Sequence, residues 1–107
     1  MTCIAISTTV ATRADAERLA HGLVEARLAA CAQIAAIESV YTWKDAVQQE
    51  PELRIVFKTT EALRDAAIAA IAERHPYEVP EIHAETLGHV HAPYAAWVEA
   101  SVSSPAP

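Results

Sequence analysis

The sequence predicts a mixed α+β fold, ordered β-α-β-β-α-β with one further helix at its C-terminal end. Three observations carry that prediction. Two stretches place apolar side chains at helical spacing, Ala16, Leu19, Ala20, Leu23 and Val24 in one and Leu63, Ala67, Ala70 and Ile71 in the other. Between them, residues 37–44 and 52–60 alternate from side to side with the period of a strand. Two prolines, Pro76 and Pro93, fall where one helix has to stop and another can start.

Taken in order, residues 2–8 form a short apolar run with β-branched Ile4, Ile6 and Thr8, a buried strand. Thr12 is placed to cap the first helix, and Asp15 puts negative charge in its first turn. That helix runs to about residue 28, with Glu17, His21 and Glu25 on its polar face. Residues 31–44 read as a long strand: Ile37, Ser39, Tyr41 and Trp43 point one way, Glu38, Val40, Thr42 and Lys44 the other. Residues 45–51 read as a turn region, and residues 52–60 as the returning strand. Leu53, Ile55 and Phe57 lie on one of its faces, Arg54, Val56 and Lys58 on the other. Pro51 suggests a bulge or an edge at its start. Thr60 is placed to cap the second helix. A final strand covers residues 81–87, and the last helix carries Tyr94, Trp97 and Val98 on its apolar side. Residues 103–107 read as a frayed tail, leaving one domain over residues 1–102. This element order is the ferredoxin-like, split-βαβ arrangement.

One strand is too long for the smallest version of that fold. Residues 31–44 extend about 45 Å at roughly 3.3 Å per residue, whereas a domain of this size has a radius of gyration of about 13 Å. A straight hairpin of that length overhangs its own sheet, so it bends at a bulge or pairs with another subunit. Tyr41 and Trp43 sit near the overhanging end, so burial against another subunit is the economical expectation.

Composition narrows the function. The chain has 107 residues, 52% hydrophobic and 21% charged, with a formal net charge of −6. Its eight basic residues are scattered, which argues against nucleic acid or an anionic membrane surface as partner. Cys3 and Cys31 form no CxxC and read as small core residues. Gly22 and Gly88, the two glycines, are too few for a phosphate cradle. The start Met1-Thr2-Cys3-Ile4 has neither a basic region nor a long apolar stretch, so the expected location is the cytoplasm, without a membrane span.

The densest cluster of chemistry is His75-Pro76-Tyr77-Glu78-Val79-Pro80-Glu81-Ile82, an imidazole, a phenol and two carboxylates in a loop stiffened by prolines. It reads as one wall of a polar pocket, or supplies His75 as a metal ligand. Set against this is a plain helix-to-strand connection with His75 capping helix carbonyls. Lys58 reads as an anion-binding group, as a partner of Glu81, or as a solvated lysine. Tyr41 and Trp43 are candidates for stacking on a ligand, against packing at a subunit contact. His89 and His91, and His83 with Glu85, share sides at i, i+2 spacing. Two donors make a weak metal site. His21 between Glu17 and Glu25 reads as a solvated helix face.

Several of these stretches together resemble the CutA family of divalent-cation tolerance proteins: Leu28-Ala29-Ala30-Cys31-Ala32-Gln33-Ile34, Ser39-Val40-Tyr41-Thr42-Trp43, Lys58-Thr59-Thr60, the loop from His75 to Ile82, and Tyr94 with Trp97. The resemblance implies a ferredoxin-like subunit with an extended β-hairpin and a C-terminal helix, assembled into a PII-like homotrimer. It implies intersubunit clefts lined by Tyr41, Trp43, Lys58, His75, Tyr77, Glu78 and Glu81. It implies a non-catalytic cytoplasmic protein that requires no cofactor and takes Cu(II) or another divalent cation as its candidate ion. The copper pattern proposed for that family uses a cysteine near the end of the first strand and two adjacent histidines. Thr8, Arg74 and His75 stand at those positions here, leaving His75 as the metal candidate. A PII-like sensor binding a small anion through Lys58 is the alternative. An enzyme using His75, Tyr77 and Glu81 as acid-base groups is the third reading.

Overall fold

The computed structural model describes residues 2–102. β1 (Cys3–Val10) leads into α1 (Arg13–Glu25), and β2 (Cys31–Trp43) and β3 (Ala46–Thr60) follow as a hairpin. A 3-10 turn (Glu61–Leu63) precedes α2 (Arg64–Arg74), β4 (Ile82–Thr86) and α3 (Ala92–Ser101). The strands form an antiparallel sheet in the order β2-β3-β1-β4, so the fold is the α+β, ferredoxin-like arrangement expected. The expected tail at residues 103–107 lies outside the described residues.

The core follows from alternation. Ile4, Ile6 and Val10 of β1 and Ile55 and Phe57 of β3 turn to one face, where α1 and α2 cover them with Leu19, Leu23, Ala67 and Ile71. Complete burial of such an aliphatic or aromatic side chain contributes about 1.5–3 kcal/mol. The other face is covered at one end by α3, where Val98 and Val102 pack on Cys3.

Thr12 caps α1 as expected, its hydroxyl accepting from the Asp15 N–H at 3.1 Å. The helix stops earlier than expected because Arg27 adopts φ 60°. The Leu28 N–H then donates to the Leu23 carbonyl and the Arg27 N–H to the Val24 carbonyl, both at 3.0 Å, a Schellman closure. Glycine usually holds that position. Here the Arg27 guanidinium reaches the carbonyls of Ala100, Ser101 and Val102, each at 3.4 Å, and ties the end of α1 to the end of α3.

Several expectations are corrected. Residues 45–51 are not a turn region: only Lys44 and Asp45 turn, with φ of 50° and 64°, and β3 begins at Ala46. Positive φ at both positions is the type I′ geometry whose twist suits a two-residue hairpin. Pro51 causes no bulge, because the β2–β3 register is unbroken from Cys31↔Lys58 to Trp43↔Ala46. Pro51 lies beyond the end of β1, whose last pair is Val10↔Leu53, so it occupies an edge position after all. Thr60 precedes the 3-10 turn without a side-chain cap bond, and α2 starts only at Arg64. Cys31 is half-buried rather than core; its thiol lies 3.5 Å from the Tyr94 hydroxyl. That contact, followed by burial, raises the Tyr94 phenol to about 12.

The hairpin overhangs. Residues 37–43 and 46–52 project past the end of β1, about 23 Å of two-stranded ribbon, and the long axis of the molecule reaches 44 Å. On the ribbon, Val40 and Val47 are 65% and 75% exposed and Tyr41 and Trp43 each 39%.

Candidate functional site

The loop of residues 75–81 sits beside the foot of this ribbon, and His75 fastens it there. The His75 Nε2 lies 2.9 Å from the Thr9 carbonyl and 3.0 Å from Thr8 Oγ1. A carbonyl only accepts, so Nε2 carries the proton and donates. Nδ1 then accepts from the Tyr77 N–H at 3.1 Å. Thr8 Oγ1 donates onward to the Glu81 carbonyl at 2.7 Å, which leaves it free to accept from the imidazole. These bonds define a neutral imidazole with both nitrogens engaged. Burial lowers its pKa below 6.5, with Arg18 in the same sense; the Thr9 carbonyl, Asp15 and Glu52 act in the opposite one. The ring does not cap helix carbonyls, as the plain loop reading would have it.

Tyr77 continues the fastening. Its ring packs tilted on His75 at 4.9 Å between centroids, and its hydroxyl donates to Glu52 Oε2 at 2.6 Å. Burial first, then the Glu52 carboxylate, raise the phenol well above its usual range. Tyr41 is raised too, with desolvation ahead of Glu50 and Glu52. Both phenols are therefore neutral donors near pH 7.

Ribbon and loop enclose a cleft of about 890 Å³, within the range of small-molecule sites. The ribbon contributes Glu38, Tyr41, Trp43 and Glu52; the loop contributes Tyr77, Glu78, Val79 and Glu81. Of the residues singled out from sequence, Tyr41, Trp43, Tyr77, Glu78 and Glu81 are brought together. His75 stands behind the loop wall, not in the lining, and Lys58 is elsewhere: it pairs with Cys31 in register and donates to Gln33 Oε1 at 2.9 Å. Lys58 does not pair with Glu81, whose carboxylate instead meets His83 Nε2 at 2.9 Å.

Glu38 and Glu52 were missed from sequence. Glu52 stood at the margin of an expected turn, and Glu38 on the face opposite Tyr41 and Trp43. The hairpin register, which sets Glu52 against Ile37, is the signal that finds Glu52. Among the described residues the wall thus holds four carboxylates and no Lys, Arg or His.

Divalent ions can be tested against this donor set. Among the described residues no three His, Cys, Asp or Glu side chains are grouped closely enough to hold an ion. A first-row metal such as copper favours imidazole and thiolate, and His75 has no uncommitted nitrogen. The described residues of one chain do not fit a resident copper ion. His89 and His91 lie in the loop leading into α3, and His21 faces Glu25 at 3.6 Å on an exposed helix surface. No helix among the described residues is long and apolar enough to cross a membrane.

Comparison with known proteins agrees with the fold. The chain is 40% identical over 98 residues to the probable divalent-cation tolerance protein cutA homolog of Encephalitozoon cuniculi, covering 92% of this chain and 86% of that protein. It is 31% identical over 102 residues to the divalent-cation tolerance protein CutA of Escherichia coli, covering 94% and 91%. The crystal structure of CutA1 from Oryza sativa superposes with a TM-score of 0.92 at 34% identity, over 96% of this chain and 95% of that one. The family model for the CutA1 divalent ion tolerance protein matches residues 4–101, and with the fold and the fastened loop described above, the chain belongs to the CutA1 divalent ion tolerance family.

Proposed function

We propose that this protein serves divalent-cation tolerance as a non-catalytic, cytoplasmic homotrimer that acts by binding. The observation that carries the reading is the ribbon: two strand edges unpaired among the described residues, with exposed Val40 and Val47 on the face opposite Tyr41 and Trp43. Unpaired edges and bare apolar side chains are a liability in a free monomer, and pairing with further copies of the chain removes it. The cleft beside the ribbon is the binding region, with a neighbouring subunit completing it.

The non-catalytic reading rests on the acid-base groups. His75 is withdrawn behind the wall with both nitrogens bonded, and the Tyr77 phenol is tied to Glu52 and raised far from neutrality. A free acid or base is what the third reading needs; neither residue supplies it, and the third group, Glu81, is engaged with His83 Nε2 at 2.9 Å. The anion alternative is not favoured, since Lys58 is directed to Gln33 and the lining is acidic. The metal link is placed outside His75: a Cu(II) or other divalent ion bound by the assembly takes its ligands from more than one subunit.

Sedimentation equilibrium tests the assembly. The expected mass is three times the 11.5 kDa of the chain, and Val40→Glu with Val47→Glu is expected to lower it. A wild-type mass of one chain sinks the proposal.

A further inference from the structure

We infer that the cleft between ribbon and loop is a site for an organic cation, an ammonium or guanidinium group carried on an apolar body. This deepens the binding role proposed above and rests on the cleft staying open in the assembly. Three features converge on that ligand class.

First, the cavity is of ligand size, about 890 Å³, and carries aromatic rings from both walls: Tyr41 and Trp43 from the ribbon, Tyr77 from the loop. Aromatic faces attract cations through their quadrupole, and indole does so best. Trp43 already takes one: the Lys44 ammonium lies 5.7 Å from its ring centroid, within the range of that interaction. Second, the charge of the walls is one-sided. Four carboxylates line the cleft and no basic side chain does. Glu52 accepts from a neutral phenol, Glu38 accepts from the Gln49 amide and Glu81 meets His83 Nε2 at 2.9 Å, while among the described residues Glu78 makes no hydrogen bond. Apart from the Lys44 ammonium over Trp43, an anion entering here meets like charge, whereas a cation meets acceptors spaced around apolar surface. Third, the donor set suits a soft-bodied cation better than a bare metal ion. The carboxylates are spread over both walls rather than grouped, so they can receive N–H donors or compensate a diffuse charge without closing a coordination shell.

The test uses four ligands of one shape: benzylamine, benzyltrimethylammonium, benzyl alcohol and benzoate. Binding is read by tryptophan fluorescence on the purified full chain, in a Trp97→Phe background so that Trp43 reports alone. Sedimentation of the same sample is recorded separately. The expected result is saturable quenching by the two cations, at least about tenfold tighter than by benzyl alcohol, and none by benzoate. Glu78→Gln, an exposed change outside the fastening, is expected to weaken the cations several-fold and leave benzyl alcohol unchanged. Trp43→Leu is expected to abolish cation binding, read by calorimetry. Equal binding of benzylamine and benzyl alcohol overturns the inference, as does no binding by any of the four, or a response to Ca(II) and Mg(II) without one to benzylamine. A trimer without cation preference defeats this inference alone; a monomer with it defeats the assembly reading alone.

Discussion

His75 shows how much of a residue's role lies in what its atoms face. Its place in the His-Pro-Tyr-Glu stretch makes it the leading metal candidate, but its Nε2–H is spent on the Thr9 carbonyl and its Nδ1 lone pair on the Tyr77 N–H. Protonation would turn Nδ1 from acceptor to donor and set it against that N–H. The pH consequence follows from the direction of the shift. The native pKa lies below 6.5, so between the two values the unfolded chain binds the proton and the native chain does not. His75's contribution is complete above pH 6.5 and is lost as the pH falls from there through the native pKa. Thermal midpoints measured from pH 7.5 down to 5 are expected to decline in wild type and to decline less in His75→Gln. The substitution itself is expected to cost about 1–3 kcal/mol at pH 7.5, because it strands partners of a part-buried network. Parallel pH profiles for the two proteins would refute this account of His75.

Among the elements, those whose identity rests on local chemistry were legible: the Thr12 cap, the stripes of α1 and α2, the stop at Pro76, the alternation of residues 37–43. The start of β3 was not. Gln48-Gln49-Glu50-Pro51 has the composition of a connection, and only pairing with residues 38–41 of β2 makes it strand. The same gap separates Lys58 from the cleft. Its face of the strand was read correctly, but its register opposite Cys31 sets it far along the hairpin from Tyr41 and Trp43. The hairpin's turn carries a testable cost. Lys44 and Asp45 hold positive φ without glycine, where a side chain is strained. Replacing the pair with Asn-Gly, the preferred type I′ sequence, is expected to stabilise the protein by about 1 kcal/mol. Denaturant midpoints at fixed protein concentration measure it, and a midpoint unchanged or lowered would show the turn to be unstrained.

For the whole molecule, the length of β2 in the sequence argues for an overhang, and the 44 Å long axis bears that out. The cleft was half legible: five of its residues are among those the family resemblance implies, whereas its acidic character waited on Glu38 and Glu52 being brought beside them. Membership of the CutA1 family joins this molecule to divalent-cation tolerance, and the central claim is that His75 serves the architecture of the cleft rather than holding the ion. A buffered Cu(II) titration of the purified protein, wild type beside His75→Ala, tests that claim most directly. The account predicts no sub-micromolar, stoichiometric site that depends on His75, so that the two isotherms coincide once the variant is shown to be folded. Tight stoichiometric binding in wild type that disappears in His75→Ala would contradict it.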